Sequence, residues 1–304
     1  MNTDDLFSPF VAYLQSRDRS PATVRGYLSD LRVFARWFAE SAGEPLQPDR
    51  WTTTDVRAFR EAMLAQGLSP RTVNRRLAAL AAWGAFLADQ GLVALNPTLH
   101  IRNLREMPLA PRWLTPKQRR ALLRAVARDL ELAQARYPRL WRVRLRNAAL
   151  VFLLVYAGLR VGEVAALEVD DLRLGPRSGE VRVRRGKGLK ERTVPLHREA
   201  RRYLARWLQV RPPETAHRAL FTTLRGAPLS LRTVQEIVSQ AGEMAGIPNL
   251  TPHVLRHTFA KTLLESGASL DKVAALLGHS DLNTTRRYTT PSADDLTQVV
   301  ERVV

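Results

Sequence analysis

The sequence predicts a mainly α-helical, α+β protein of two parts, with a small antiparallel sheet in the second part. Apolar residues recur at helical spacing through the first part, where Ser-Pro pairs mark the starts of helices. Between residues 101 and 112 no period persists and two prolines interrupt the chain, which indicates a linker. Beyond it, two alternating runs flank a Gly-Lys-Gly turn, the pattern of a β-hairpin. We therefore predict an all-helical part over 1–105, a linker over 106–113 and a mixed part over 114–304.

The first part is predicted to be a compact unit of four or five helices, of which four can be placed. The second and fourth open alike, with a serine N-cap and a proline at the first helical position. They resemble each other at an offset of 49 residues, so that Leu28 corresponds to Leu77 and Leu31 to Leu80. Either an internal repeat or two amphipathic helices that share a cap explains this likeness. The helices are predicted over residues 5–16, 21–41, 54–66 and 70–91.

Arginines cluster near the N-terminal halves of the two matched helices. There the helix dipole and the side chains can both meet phosphate, although a solvated helix face explains any one of them equally well. The candidates for such a phosphate contact are Arg25, Arg71, Arg75 and Arg76.

The second part is predicted to be helical around three short strands. A Thr-Pro pair begins a helix at residue 116, and a longer basic helix follows over 139–156. The stretch between them, 129–141, contains Pro138 and is predicted as an extra helix or a loop. Strands are predicted over 169–174, 180–185 and 192–196. The remaining helices are predicted over 163–167, 197–209, 230–246, 252–266, 270–277, 283–288 and 293–303.

The formal net charge of +18 is unevenly placed. Residues 1–105 contain 13 arginines against 10 acidic residues, and residues 106–304 contain 34 basic against 19 acidic residues. A strongly basic second part favours a polyanionic partner, most simply nucleic acid. A coding bias towards arginine explains why only five of the 47 basic residues are lysine, but not the excess over acids.

The composition also excludes several classes of chemistry. The chain contains no cysteine, so disulfides, thiolate metal sites and cysteine catalysis are excluded. The N-terminus is acidic and lacks the apolar core of a secretory signal. The longest apolar run, over residues 148–158, is too short to span a bilayer. We expect a soluble, cytoplasmic protein.

A tyrosine near the end of the chain is the first candidate for chemistry. Tyr288 directly follows two arginines, and nine residues before it His279 follows a glycine that can end a helix. A phenol beside two guanidiniums is either a surface tyrosine in a basic face or a nucleophile that attacks phosphate. Taken alone, His279 is well explained as a capping histidine and Tyr288 as a half-buried core tyrosine.

Two further motifs suit a phosphodiester. Arg160 follows a glycine turn, and Glu163 lies three residues on, on the same helical face. An ordinary surface ion pair is the alternative. Lys187 stands between two glycines at the tip of the predicted hairpin, where a solvated lysine is the alternative.

The run from Thr251 to His257 is the most specific of these motifs. Thr251 caps a helix whose first turn carries His253 and Arg256, three residues apart. One face thus offers an imidazole, a guanidinium and backbone N–H groups to a single anion. His253 and His257 have the spacing of a zinc-binding helix, but no glutamate follows His253 and no third ligand suggests itself, so no metal is predicted. His257 is interpreted as a packing residue.

Taken together, these motifs resemble the tyrosine recombinase, or phage integrase, family, and most closely its Xer-like branch. The matching pieces are AGLRVGEVAAL, GKGLKERTVPL, TPHVLRHTFA, LLGHSDLNTT and RRYT, in the family's order and approximate spacing. The first part resembles the family's helical, SAM-like core-binding domain, most tellingly in SPATVRGYLSDLRVFARWF. The stretch between Val126 and Arg146 departs from the family by its greater length.

The resemblance implies a role for each candidate residue. It makes Tyr288 the nucleophile, and Arg160 and Arg256 the clamp on the non-bridging phosphate oxygens. It makes His253 a proton acceptor and phosphate ligand, and His279 a further donor to the scissile phosphate. It makes Lys187 the acid that protonates the leaving 5′-hydroxyl, with Lys190 as the alternative, and Glu163 a residue that orients the site.

The implied activity is site-specific recombination of double-stranded DNA through a 3′-phosphotyrosyl intermediate. It would be carried out by four protomers on two sites, as a homotetramer or with a related recombinase, without cofactor, metal or ATP. The C-terminal stretch has an apolar stripe that includes Leu296 and Val300. It is expected to pack either on its own protomer or on a neighbouring one, and the family resemblance implies the neighbouring protomer. A type IB topoisomerase and a DNA-binding protein without catalysis are the alternative functions.

Overall fold

The computed structural model describes residues 3–106, 112–184, 191–212 and 218–278, with side chains from residue 5 onwards. The chain divides into two compact units, Met1–Leu109 and Ala110–Val304. The described residues form α-helices and one three-stranded antiparallel sheet, which lies in the second unit. The predicted fold class is confirmed.

The first unit is a bundle of helices with serine and threonine caps. Ser20 accepts a hydrogen bond from the backbone N–H of Thr23, and Ser69 accepts one from Thr72, so the two matched helices begin as predicted. Thr52 caps the helix between them and forms a reciprocal pair with Asp55. The four helices are α1 (Thr3–Ser16), α2 (Pro21–Ala42), α3 (Thr53–Ala65) and α4 (Pro70–Asp89).

Aromatic side chains fill the core of the first unit. Phe34 on α2 and Trp83 on α4 hold the matched positions of the 49-residue offset, and both are fully buried. Trp51 lies between them, with its ring centroid 5.6 Å from that of Phe34 and 5.0 Å from that of Trp83. The matched helices therefore face one common core.

Helix α6 is the centre of the second unit. Nearly every residue from Leu145 to Ala157 is buried, because helices α5, α8, α9 and α10 pack around it. The helices of this unit are α5 (Pro116–Arg136), α6 (Trp141–Ala157), α7 (Val161–Ala166), α8 (Arg198–Val210), α9 (Leu231–Met244), α10 (Pro252–Glu265) and α11 (Leu270–Leu277).

Two predictions about local structure in this unit were wrong. The stretch 129–141 holds no separate helix, because α5 continues to Arg136 and only a short turn leads into α6. Pro138 lies in that turn, where it interrupts no helix. The first predicted strand is shorter than expected, since Val169–Asp171 forms a 3-10 turn.

The sheet presents one buried face to the core. Its strands are β1 (Leu172–Leu174), β2 (Gly179–Val183) and β3 (Arg192–Pro195), and β2 lies between the other two. Val181 and Val183 on β2 and Val194 on β3 are buried, and Val183 pairs with Arg192 in the register. The alternation that predicted the strands thus also indicates which side chains face inward.

The predicted hairpin tip and the helices predicted over 283–288 and 293–303 lie outside the described residues. Within the described ranges, no helix is long and apolar enough to cross a membrane.

Replacing Gly158 with alanine should destabilise the second unit more than replacing Gly246 does. Both glycines are left-handed, with φ of +60° and +68°, so an alanine costs about 1 kcal/mol at either site. At Gly158 the new Cβ would also lie 2.3 Å from Cδ1 of Phe259, whereas at Gly246 it would meet nothing within 4 Å. The clash should add about 1–3 kcal/mol. Urea unfolding followed by circular dichroism compares the two variants, and equal losses would contradict the argument.

Candidate active site

Arg160 and Glu163 form a pair at the start of α7. Arg160 is the N-cap of this helix, and its backbone N–H donates to Oε2 of Glu163 at 2.8 Å. Its Nη1 donates to Oε1 of the same carboxylate, also at 2.8 Å. The Glu163 side chain is only 5% exposed and that of Arg160 is 32% exposed. The pair is therefore not an ordinary surface ion pair, because the carboxylate is buried.

A second arginine, Arg192 on β3, holds the same carboxylate. Its Nη1 donates to Oε1 of Glu163 at 3.0 Å and its Nη2 donates to Oε2 at 2.7 Å, which is a two-pronged contact. Sequence reasoning did not single out this residue. A signal was available, because Arg192 shares the inward face of the predicted strand with Val194, and an arginine on a buried face needs a partner.

Arg256 reaches the same region from α10. Its residue is 2% exposed, and its Nη1 donates to the carbonyl oxygen of Gly158 at 2.8 Å. Its Nη2 donates to the carbonyl oxygen of Leu277 at 2.7 Å. Gly158 ends α6 in the left-handed conformation, so Arg256 joins the end of α6 to the end of α11.

The three arginines meet at the C-terminal end of α11. Arg192 Nε donates to the carbonyl oxygen of Leu276 at 2.8 Å. Arg160 lies 3.4 Å from the carbonyl oxygen of Leu277 and 3.3 Å from that of Gly278. The last carbonyls of a helix lack partners within the helix and carry its negative dipole end, so guanidiniums are well suited to this position.

His253 and His257 lie on the first two turns of α10, behind the predicted cap. Thr251 accepts a hydrogen bond from the backbone N–H of Val254 at 3.3 Å. His253 is exposed and His257 is half-buried, with their ring centroids 5.5 Å apart. His253 thus faces solvent one turn from the buried Arg256. Lys187, Lys190, His279 and Tyr288 lie outside the described residues.

The pKa of Glu163 lies below its ordinary value. Burial alone raises the pKa of this carboxyl, but hydrogen bonds from Arg192 and Arg160 and the charge of Arg192 outweigh burial. The carboxylate is therefore ionised at neutral pH and compensates part of the positive charge around it.

In the first unit, two of the four candidate arginines have an internal partner. Arg75 pairs with the buried Asp30, and Arg76 Nε lies 3.8 Å from Oδ1 of the same carboxylate. Burial raises the pKa of Asp30, and the two arginines counteract that rise only in part. Arg25 and Arg71 are exposed.

Both units match one family of proteins. Residues 112–294 match the phage integrase family, and residues 7–91 match the phage integrase N-terminal SAM-like domain. The tyrosine recombinase XerC of Chromohalobacter salexigens is 38% identical over 276 residues, which cover 89% of this chain and 86% of that protein. The tyrosine recombinase XerC of Alcanivorax borkumensis is 35% identical over 306 residues, which cover 99% of this chain and 94% of that protein.

Solved structures show the same fold. The XerH site-specific recombinase bound to palindromic difH substrate, in a post-cleavage complex, aligns with a TM-score of 0.76 at 22% identity, covering 95% of this chain and 84% of that chain. A lambda integrase dimer bound to a COC′ core site aligns with a TM-score of 0.69 at 20% identity, covering 93% and 97%. This chain belongs to the phage integrase family and, within it, to the Xer branch of the tyrosine recombinases, which are enzymes of site-specific recombination.

Replacing Glu163 with glutamine should destabilise the protein in a pH-dependent way. The folded-state pKa is lowered from the ordinary value of 4.5, so the carboxylate stabilises the fold above pH 4.5 and this contribution is lost as the pH falls through the folded-state pKa. At pH 7 the variant leaves Arg192 without its buried partner, at a cost of about 3 kcal/mol.

Thermal melts of the two proteins between pH 7 and pH 3 test this expectation. The difference in Tm should be largest at pH 7 and should close below pH 4.5. Glu180→Gln is the control, because Glu180 is 40% exposed and pairs with the exposed Arg173. A Tm difference that stays constant with pH would contradict the assignment.

Proposed function

We propose that this recombinase cuts and rejoins DNA strands through a covalent 3′-phosphotyrosyl intermediate formed on Tyr288. One observation carries the proposal. Arg160 and Arg256, far apart in the sequence, both donate to the carbonyl oxygen of Leu277. From that point the chain runs through Gly278 to His279 and on to Tyr288.

In this proposal Arg160 and Arg256 bind the two non-bridging oxygens of the scissile phosphate. A phosphodiester under attack accumulates negative charge on these oxygens, and planar guanidinium groups meet them with paired hydrogen bonds without a metal. The partial exposure of Arg160 supports access of a phosphate from solvent. The buried partners of both arginines hold the guanidiniums before DNA arrives, which reduces the entropy lost on binding.

Proton transfer is assigned to three further side chains. A phenol has a pKa near 10 in water, so Tyr288 needs a base and a positive field to react at neutral pH. His253 is proposed as that base and as a phosphate ligand, with His279 as a further donor to the phosphate. Lys187, or Lys190 in its place, would protonate the leaving 5′-oxygen.

The proposed chemistry needs no energy source. Attack by the tyrosyl oxygen forms a P–O bond to Tyr288 as the P–O5′ bond breaks, and the 5′-hydroxyl of another strand reverses the step. One phosphodiester is exchanged for another at each stage, so ATP and water take no part.

We propose double-stranded DNA as the partner, in the cytoplasm, with four protomers acting on two sites as a homotetramer or with a related recombinase. The helical part over 1–105 would be the core-binding domain and 114–304 the catalytic domain, joined by a linker over 106–113. The excess of basic residues in the second part supports a DNA partner.

Replacing Tyr288 with phenylalanine should abolish the covalent adduct and leave DNA binding within about twofold, because only the nucleophilic oxygen is lost. Wild-type chain is incubated with nicked suicide duplexes that carry candidate sites from the DNA flanking its gene, in EDTA and without ATP. A protein–DNA adduct that survives denaturation is then scored on a gel.

Tyr137→Phe is the matched control, because Tyr137 is an exposed tyrosine of the second unit. It should form the adduct at the wild-type rate. An adduct that persists in Tyr288→Phe would contradict the assignment of the nucleophile. A wild-type chain that binds all sites and forms no adduct on any would contradict the covalent mechanism.

Replacing both Arg25 and Arg71 with alanine should weaken binding to duplex DNA. The slope of log K against log salt concentration should become shallower by about one for each arginine removed. Both side chains are exposed near helix N-termini. Arg50→Ala is the control, since Arg50 is exposed in the same unit but pairs with Glu44 at 3.1 Å. Fluorescence anisotropy across a salt series measures the slopes, and an equal loss in the control would contradict a specific role.

A further inference from the structure

We infer that Arg192 is a positioning residue for strand cleavage, which keeps Arg160 directed at the phosphate by occupying Glu163. The inference rests on the proposed function, because it takes Arg160 as a phosphate ligand. Arg192 acts through Glu163 and through the end of α11.

The carboxylate of Glu163 is shared between Arg192 and Arg160. Arg192 contacts both oxygens with two nitrogens, at 3.0 Å and 2.7 Å. The side chain of Arg160 contacts only Oε1, through Nη1, while Oε2 accepts the backbone N–H of Arg160. A carboxylate has about four acceptor positions, and these four contacts use them. The side chain of Arg160 therefore cannot form a two-pronged pair with Glu163 while Arg192 is in place.

The other terminal nitrogen of Arg160, Nη2, contacts the end of α11. This nitrogen lies 3.3 Å from the carbonyl oxygen of Gly278, in an exposed contact. A weak, exposed contact with a neutral carbonyl is readily exchanged for a charged phosphate oxygen, since a hydrogen bond to an ionised acceptor is about twice as strong. Without Arg192, both prongs of Arg160 can turn to Glu163, and its charge is then neutralised by the carboxylate.

Arg192 packs closely against the end of α11. A Cβ on Gly278 would lie 2.7 Å from Nη1 of Arg192 and 3.1 Å from its Cδ. Gly278 is also left-handed, with φ of +64°, so any other residue at this position is strained as well as crowded. The Nε of Arg192 binds the carbonyl oxygen of Leu276 in the same region. One side chain thus contacts the carboxylate that orients Arg160 and the helix end that Arg160 touches.

Of the two basic side chains, arginine and lysine, only arginine can make this set of contacts. The Arg192 side chain is 9% exposed and that of Glu163 is 5% exposed, so the charges compensate each other away from water. Lysine offers one ammonium in place of a planar fork, so it cannot make the two-pronged contact with Glu163 and also reach the carbonyl oxygen of Leu276. Strand β3 fixes the origin of the side chain, because Arg192 pairs with Val183 in the sheet.

The test measures single-turnover cleavage of a nicked suicide duplex at saturating DNA, together with the Kd for the same duplex. Arg192→Met should lower the cleavage rate about 10- to 100-fold, as small misplacements of a reacting group do. Its Kd should stay within about twofold of wild type, because Arg192 itself is not proposed to contact the phosphate. Arg192→Lys keeps the charge and should lower the rate by a smaller factor.

A double-mutant cycle separates positioning from a merely structural effect. In a Glu163→Gln background, Arg192→Met should lower the cleavage rate less than about threefold, because the carboxylate that would otherwise bind Arg160 is absent. Arg173→Met is the control, since Arg173 pairs with Glu180 on the same sheet but is 81% exposed. It should cleave at the wild-type rate.

Several results would overturn the inference. The inference is wrong if the Arg192 variants cleave at the wild-type rate. It is also wrong if the effects of the two substitutions on the rate multiply fully in the cycle, or if the Kd rises in step with the fall in rate. If Arg192→Met does not fold, Arg192→Lys carries the same cycle, and an unaltered rate in that variant overturns the inference. A wild-type chain that forms no adduct overturns the proposed function, whereas equal cleavage by wild type and Arg192 variants overturns this inference alone.

Discussion

The buried carboxylate of Glu163 is the point on which the second unit's candidate site depends. It accepts hydrogen bonds from Arg160 and Arg192, while Arg256 is held separately by backbone carbonyls of Gly158 and Leu277. One carboxylate and a helix dipole do not balance three guanidiniums, so the site retains an excess of positive charge. Such an excess suits the phosphodiester that we propose as the ligand, and the carboxylate holds Arg160 and Arg192 in place.

Two glycines make this arrangement possible. Gly158 ends α6 and Gly278 ends α11, and both are left-handed. Each presents its carbonyl oxygen to an arginine, Gly158 to Arg256 and Gly278 to Arg160. A side chain at either position would also collide with a neighbour, the ring of Phe259 or the guanidinium of Arg192. The helix ends therefore act as binding elements in addition to terminating the helices.

The first unit is organised around its two matched helices, α2 and α4. The same serine–proline start serves α2 and α4, and both helices contribute to one aromatic core. Asp30 is buried on α2 and forms ion pairs with Arg75 and Arg76 on α4, so it links the matched helices. Four arginines of this unit were predicted from the sequence to contact DNA. Arg25 and Arg71 fit that role better than Arg75 and Arg76, because they are exposed and, among the described contacts, pair with no carboxylate.

The sequence by itself determined the elements and the family, because caps, periodicity and alternation are local properties. Ser20, Ser69 and Thr251 each mark a helix start that the structure confirms, and the motifs around Arg160 and Arg256 identify the family. Only the tertiary structure decided that Arg192 shares Glu163 with Arg160, and that three arginines meet at the end of α11. Such contacts join residues that are 21 to 118 positions apart. The strand alternation indicates that Arg192 needs a buried partner, but it does not identify Glu163, because that contact follows from how the helices and the sheet pack around α6.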